Sequence, residues 1–529
     1  MEIISSINDR VVWGAPMLCL MLFTGISFTV RTGFFQLRKF RHILKSTVFS
    51  RDKTSDDGIS PFASMCQALA ATLGTGNIAG VSTALSVGGA GAVFWMWISA
   101  FFGMMTGFAE NVLGLHYRQR DGERFRGGAM QYIKRGLSEK PRTRPLAKPL
   151  AVTYALLCVI AGFGMGNAAQ MNSAAEALKA SFGLPQLVTG AVLAGLAALI
   201  VFGGVKRISA VTSRLVPLMS GFYIVGCVFI LISNAEHIPS AFEMIVSSAF
   251  GVRQLGGGIA GAAVKTAVSM GFKRGVFSNE AGLGTSVFAH SQSRIKEPVV
   301  CGMWSIFEIF FDTIVMCTLT ALVLLVSTAG TNISAEIPNV TAGVQYFRLT
   351  ESDRLITDGV RLPETLTVYG VHGEKLQAEL PRERTYSNIM TVRSEERNGV
   401  LTAKIEPLRG VGLAECAFTA RFGKPAGMVL SVLVAMFAFS TVIGWSYFGG
   451  EAAAFLFGDR SRKPYCIAFI AFSVVGACVD MTAAWGISDM LNGLMAVPNL
   501  IAVLILSPKV IELTRSYCER TFGRHKKFT

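Results

Sequence analysis

The chain has 529 residues, of which 51% are hydrophobic and only 16% charged, with a mean hydropathy of +0.48. Ordinary soluble proteins carry about 25% charged residues, and several apolar stretches here exceed the roughly 18 residues that mark a membrane-spanning helix, so a soluble globular protein is excluded. The net charge of +15 does not indicate a nucleic-acid partner, because the basic residues fall in particular loops between hydrophobic spans. The sequence predicts an all-α polytopic membrane protein in contact with lipid. Its 55 glycines fit close helix packing and broken helices. The ten cysteines are scattered without a CxxC pair and suggest neither a disulfide framework nor a metal site.

In chain order, Val11–Val30 is long enough to span and lacks a small-residue cleavage site, so it is expected as a first helix and not as a signal peptide. Arg31–Gly58 follows with seven basic residues and an amphipathic stretch, Phe34–Phe40, expected along the membrane surface. The second apolar run, Pro61–Val87, contains Gly74-Thr75-Gly76-Asn77 in its middle. Each glycine lowers helix propensity by roughly 1 kcal/mol relative to alanine, and Thr75 and Asn77 compete with the backbone for hydrogen bonds. Broken backbone at membrane depth is tolerated only where protein or a water-filled cavity satisfies it. This segment is therefore expected to be unwound and to line a site for a small polar solute, although a packing notch for a neighbouring helix would leave the same signature. Further spans are predicted at Gly91–Tyr117, Leu150–Leu178, Leu187–Gly204 and Ile208–Ile232. Gly256–His290 would reach about 50 Å as one helix, against a hydrocarbon core of about 30 Å. Its Gly271–Thr285 portion is a poor helix interior, so a second broken helix is expected there. Val299–Val326 precedes a polar insertion, 330–424, and Met428–Phe457, Tyr465–Val479 and Ala484–Leu506 complete eleven spans.

Alternate loops hold thirty Lys and Arg residues, whereas the opposite short loops hold only Arg10, Lys179 and Arg253. By the positive-inside rule the first set is cytoplasmic, the N-terminus outside and the C-terminus inside. The insertion then lies outside and is expected as a small β-rich extracytoplasmic domain. Setting the first helix aside, ten spans divide into five plus five of opposite orientation, and the first member of each half is interrupted. Matched interruptions in two halves are the best sequence pointer to a transporter's binding site. The expected organisation is 1–58 for the extra helix and surface segment, 59–235 for the first repeat, 254–329 for the start of the second, 330–424 for the insertion, 425–508 for the last three helices and 509–529 for a basic tail.

Three strings, Gly74-Thr-Gly-Asn-Ile-Ala-Gly-Val81, Arg274-Gly-Val-Phe-Ser-Asn-Glu-Ala-Gly-Leu-Gly-Thr285 and Phe437-Ala-Phe-Ser-Thr-Val-Ile-Gly-Trp-Ser-Tyr447, resemble the signatures of the alanine or glycine:cation symporters, the bacterial sodium:alanine symporter family. The insertion departs from the family pattern. The resemblance implies a LeuT-like 5+5 inverted-repeat fold in a bacterial inner membrane. It implies no enzymatic activity but sodium-coupled import of alanine or glycine, with another amino acid or proton coupling as the alternative. It also places substrate between the broken helices and sodium between the first of them and the ninth span. Implied substrate residues are Thr75, Gly76, Asn77, Gln170, Phe277, Ser278, Asn279, Gly282 and Trp445. Implied sodium ligands are the carbonyls of Ala70, Leu73 and Phe437 and the hydroxyls of Ser440 and Thr441.

Chemistry agrees with that assignment. A half-helix starting after Gly76 offers free amides and a positive dipole end to a carboxylate, Asn77 adds a donor, and carbonyls around Phe277–Gly282 offer acceptors to an ammonium. Trp445 lies four residues beyond Thr441, on the same helix face, and a large ring over a small cavity favours a small side chain. Bland alternatives stand beside each. Taken alone, Ser440 and Thr441 are more readily read as bonding back to carbonyls in their own helix, and Trp445 as core or interface; the family resemblance reverses the first reading, and Gln170 would equally serve an interhelical hydrogen bond. Glu110, Glu280, Glu308 and Asp312 are intramembrane acids without an assigned role. An intramembrane enzyme and a passive channel are the rival classes. No His-Glu-x-x-His motif supports the first, and a channel would not accumulate solute against a gradient.

Overall fold

A backbone in hydrocarbon must satisfy its own polar groups, and in a chain this apolar the helix is the structure that does so. The computed structural model describes residues 8, 12–49, 58–121, 124–251, 258–328, 344–348, 365–369, 375–379, 389–397, 400–407 and 410–523. Among these, six helices are long and apolar enough to cross a membrane: Gly91–Tyr117, Arg144–Phe182, Gly204–Ser233, Pro298–Ser327, Lys424–Phe457 and Ala484–Ile505. Two shorter apolar helices, Ala15–Arg31 and Gln186–Val201, join them. The protein is thus a multi-pass, mostly helical membrane protein.

Both runs expected to be broken are interrupted. Pro61–Thr72 starts with proline in its first turn and Ser60 accepting from the Ala63 amide at 3.2 Å. It stops at Leu73, and a helix resumes over Ala79–Gly88 after a short 3-10 turn at Thr75–Asn77. The second interruption is shorter than expected. Helix Gly258–Asn279 runs through Phe277 and Ser278, and the break is confined to Glu280–Thr285 before Ser286–His290. Three residues set it: Glu280, Gly282 and Gly284 have φ of 56°, 91° and 69°, the left-handed region that glycine enters without strain. Two long spans carry π-helical sections, Gly164–Ala168 and Phe310–Cys317, a local widening that often marks functional positions.

Small residues bring the helices together. An added Cβ at Gly444 would come within 2.9 Å of the Ala71 Cβ, which seats Pro61–Thr72 on Lys424–Phe457. Gly271 is tighter, since its Cβ would lie 2.5 Å from the Ala92 carbonyl oxygen and 3.1 Å from the Met96 amide. The basic loop between the third and fourth spans is more structured than its composition suggested. It holds an antiparallel hairpin, Gln119–Asp121 with Arg124–Arg126, and an amphipathic helix, Ala129–Ser138, that buries Met130, Tyr132, Ile133 and Leu137.

Within the insertion five strands, Val344–Arg348, Thr365–Tyr369, Lys375–Glu379, Ile389–Arg397 and Val400–Pro407, pair in the order first, fourth, fifth, third, second. All neighbours are antiparallel except the third and fifth. The rest of that expectation, at 330–343 and in the connections between strands, lies outside the described residues. Gly410–Phe422, at the far end of the expected insertion, is a helix packed against Lys424–Phe457 and Ala79–Gly88.

Because the neighbours of Gly271 are two backbone atoms and the Trp95 Cβ, none of which can rotate away, Gly271→Val is expected to cost about 1–3 kcal/mol of overpacking strain. Thermal unfolding of the detergent-purified protein should show a clearly lower midpoint, and an unchanged midpoint would contradict the close approach of Gly258–Asn279 to Gly91–Tyr117.

Candidate functional site

The first break redirects the backbone. In a continuing helix the Gly74, Thr75 and Asn77 amides would go to the carbonyls of Ala70, Ala71 and Leu73. Instead the Gly74 amide donates to the Thr72 carbonyl at 2.8 Å and to Asn77 Oδ1 at 3.2 Å. The Thr75 amide donates to Gln170 Oε1 at 3.0 Å, and the Asn77 amide to the Gly74 carbonyl at 3.4 Å. Three carbonyls at the end of Pro61–Thr72 therefore lose their helical partners in the same place. The break passes close to two other elements. A Cβ on Gly74 would meet Thr441 Oγ1 at 2.6 Å and Gln170 Oε1 at 2.8 Å, so only glycine fits between those oxygens.

Gln170 sits just beyond the π-helical section Gly164–Ala168. Its amide nitrogen donates to the Met165 carbonyl at 3.1 Å, and its oxygen takes both the Thr75 amide and the Thr75 hydroxyl, the latter at 2.9 Å. Opposite, Ser440 Oγ and Thr441 Oγ1 both donate to the Phe437 carbonyl, at 2.8 and 3.1 Å. That is the back-bonding expected of helix hydroxyls, and it leaves their lone pairs free to accept or to ligate a cation. Ala70, Leu73, Phe437, Ser440 and Thr441 are all fully buried.

Asn77 ties the two broken helices together. Its Nδ2 donates to Ser278 Oγ at 2.9 Å and to Asp312 Oδ1 at 2.8 Å, and Ser278 Oγ donates to Asp312 Oδ2 at 2.7 Å. Asn279 Nδ2 reaches Thr313 Oγ1 at 3.0 Å, while its Oδ1 caps the Ala281 amide at 3.0 Å, inside the second break. Asp312 and Thr313 therefore point toward the breaks, a direction the sequence left open, because a π-helical turn shifts the face that a residue presents. The Gly76 backbone lies against the Phe277 ring, since its Cβ would be 3.1 Å from Phe277 Cδ1. That ring stacks on Trp485 with centroids 4.7 Å apart.

Trp445 is fully buried and donates from Nε1 to Glu280 Oε1 at 2.9 Å. Gly166 makes room for it, as a Cβ there would be 2.4 Å from the Trp445 Cβ. Glu280 is thus held by Trp445 and not by the neighbouring cations. Lys273 Nζ and Arg274 Nη2 instead reach Asp489 Oδ2 at 3.0 and 2.7 Å, and the Arg274 guanidinium lies 4.9 Å from the Trp485 ring centroid. Among the described residues Glu110 pairs with no basic residue. Asn499 Nδ2 donates to its Oε1 at 2.5 Å and to the Gly282 carbonyl at 2.8 Å, and the Tyr132 hydroxyl donates to Asn499 Oδ1. Sequence reasoning missed Asn499, Asp489 and Trp485. The available signal was a polar residue behind Pro498 and an acid in the last apolar span.

The predicted residues thus meet in one buried region where both breaks, both π-helical sections and the helix of Ser440, Thr441 and Trp445 come together. Against known proteins, the profile described as "Sodium:alanine symporter family" matches residues 1–351 and 386–528, leaving 352–385 of the insertion unmatched. The chain is 37% identical over 525 residues to the sodium/alanine symporter AgcS of Methanococcus maripaludis, covering 98% of each. It is 30% identical over 523 residues to a Bacillus subtilis protein named "Probable sodium/glutamine symporter GlnT", covering 98% of this chain and 91% of that one. A solved structure of MhsT in complex with L-phenylalanine aligns over 88% of this chain and 99% of that one at 12% identity and a TM-score of 0.48, too distant to assign the fold. With a family profile matching across nearly its whole length, and with several apolar helices converging on a pair of interrupted ones, the chain belongs to the sodium:alanine symporter family of cation-coupled amino-acid transporters.

Proposed function

We propose that this protein is a sodium-coupled symporter that imports alanine or glycine by alternating access across a bacterial inner membrane. In this reading its N-terminus is outside, its C-terminus is cytoplasmic, and its helices follow a LeuT-like plan of one extra helix and two inverted five-helix repeats. The strands between Val344 and Pro407 then form an extracytoplasmic β-rich domain on the insertion. The observation that carries the reading is the first break itself: it releases the carbonyls of Ala70, Ala71 and Leu73 where Gly74 passes against Thr441.

Sodium prefers several neutral oxygen ligands. The carbonyls of Ala70, Leu73 and Phe437 with the hydroxyls of Ser440 and Thr441 supply five from two elements, so a bound ion fixes Pro61–Thr72 to Lys424–Phe457. Substrate lies between the breaks. The Gly76 amide and the start of Ala79–Gly88 face its carboxylate with positive partial charge. The terminal carbonyls at Phe277, Ser278 and Asn279, with Gly282, face its ammonium. Gln170 and Asn77 act chiefly by holding this frame, Gln170 through Thr75 and Asn77 through Ser278 and Asp312. Trp445 closes the side-chain end, which favours a small amino acid over one with a glutamine-sized side chain. Ion and substrate stabilise the same closed arrangement, so each raises the affinity of the other by the same factor.

Replacing both hydroxyls, Ser440→Ala with Thr441→Ala, removes two oxygens. At about 1.5–3 kcal/mol for each contact to a charge, apparent sodium affinity should fall by more than about a hundredfold. Uptake of labelled alanine titrated with sodium in proteoliposomes reads this directly, and an unchanged sodium dependence would overturn the ion site. Trp445→Ala should let leucine and glutamine compete with alanine, while Trp445→Phe, which keeps most of the bulk and loses the bond to Glu280, should retain the size filter. Identical competition profiles for wild type and Trp445→Ala would remove Trp445 from specificity.

A further inference from the structure

The downstream half of the second broken helix, Ser286–His290, ends on a histidine that neither the substrate nor the sodium assignment uses. His290 Nε2 lies 3.0 Å from Glu308 Oε2 on Pro298–Ile309, with side-chain exposures of 0% and 2%. The remaining polar atoms of the pair, His290 Nδ1 and Glu308 Oε1, have no hydrogen-bond partner among the described residues. Pro61–Thr72 packs against both Ser286–His290 and Pro298–Ile309. It carries Gln67, which is also fully buried and also has both polar atoms unpartnered among the described residues. Each such group costs about 1–3 kcal/mol. Four of them, on three residues of three elements that pack together, are hard to account for by static packing and natural where the region opens to water during a cycle.

Charge limits what the pair holds while closed. With one proton between them His290 and Glu308 are neutral overall, whichever atom carries it. Without it they form a bare carboxylate, and an unpaired buried ion costs several kcal/mol. Glu110, Glu280 and Asp312 lie within electrostatic reach of Glu308 and add repulsion, as does any thiolate at Cys301. The other titratable groups on the packed elements are Cys66 on Pro61–Thr72, His116 and Tyr117 at the end of Gly91–Tyr117, Cys317 on Phe310–Cys317, and Lys424, Tyr447 and Glu451 on Lys424–Phe457; just beyond Tyr117, the Arg118 guanidinium donates to the Ser291 carbonyl at 3.0 Å. Against Pro298–Ile309 also pack Phe40–Ser46, with Arg41, His42 and Lys45, and the charged helix Ser507–Phe522.

We propose that His290 and Glu308 form a proton-binding site of the transport cycle. The pair holds one proton while Pro61–Thr72 is closed over it, and releases that proton to the cytoplasmic solution when this half-helix moves away and water enters. The proposal rests on the alternating-access reading above. The closed state binds one proton more than the open one, so acid in the cytoplasm favours closure and alkali favours opening. A one-proton difference changes that equilibrium by up to about tenfold per pH unit.

The test is sodium-driven alanine uptake into proteoliposomes at fixed external pH and varied lumenal pH. Wild type should speed up by several-fold, and by no more than about tenfold, per unit of lumenal alkalinisation. Glu308→Gln should transport with a flat lumenal profile, and His290→Asn should behave likewise. A flat wild-type profile, or an unchanged slope in Glu308→Gln, would overturn the proton site while leaving symport intact. If sodium drives no uptake at any pH, the symport reading fails, and infrared titration of the purified protein then decides the proton site alone. A protonated-carboxyl or imidazolium band that titrates in wild type and is missing in both Glu308→Gln and His290→Asn supports it, and the absence of both bands from wild type overturns it.

Discussion

Everything at the centre of this protein follows from where three backbone amides go. A helix crossing a membrane normally returns each amide to its own turn, because hydrocarbon offers no other acceptor. At Gly74, Thr75 and Asn77 that return is cancelled, and Thr72, Gln170 and Gly74 accept instead. The cost of opening a helix in lipid is offset by side chains positioned to receive it, and the carbonyls of Ala70, Ala71 and Leu73 lose those amides where Gly74 passes against Thr441. One local defect thus redirects amides and strips carbonyls of their helical partners within a few residues, and those carbonyls carry the kind of partial charge that a cation requires.

The second break is built on the same economy with different parts. Left-handed backbone at Glu280, Gly282 and Gly284 turns the chain sharply, and Asn279, Asn499 and Trp445 meet the polar groups so exposed. The two breaks are coupled by Asn77, whose side chain spans from its own turn to Ser278 and Asp312. A displacement of either interrupted helix must therefore be felt by the other and by the π-helical section of Pro298–Ser327. This is the kind of connected two-state element through which binding at one position biases another. The His290–Glu308 pair belongs to the same connected body, one helical turn beyond the second break.

Much of this was legible in the sequence because it depends on residue types that local chemistry singles out. Glycines and an asparagine inside an apolar run announce a broken helix, and the recurrence of such a run announces its partner. The residues at the centre were found for that reason. What was not legible depended on distance in the chain. Gln170 was ambiguous because its partner, Thr75, lies 95 residues away. Glu280 has cations six and seven positions earlier, yet its partner is Trp445, because left-handed φ turns its side chain away from the helix that carries them. The limits of the second break were overestimated because Phe277, Ser278 and Asn279 are compatible with a last helical turn, and only the glycines that follow force the chain out of it. Helix Ala129–Ser138 was hidden by the basic residues around it, since a short amphipathic helix buries few side chains and leaves a loop-like composition.

The account stands on coupled transport, which a single measurement reaches. Purified protein in sealed proteoliposomes should concentrate labelled alanine above the external level when sodium is higher outside, and should lose that accumulation when sodium is equal on both sides or replaced by potassium. Equilibration without accumulation under the sodium gradient would make the protein a passive pathway and would contradict the reading of Gly74–Asn77 as half of a sodium-linked site.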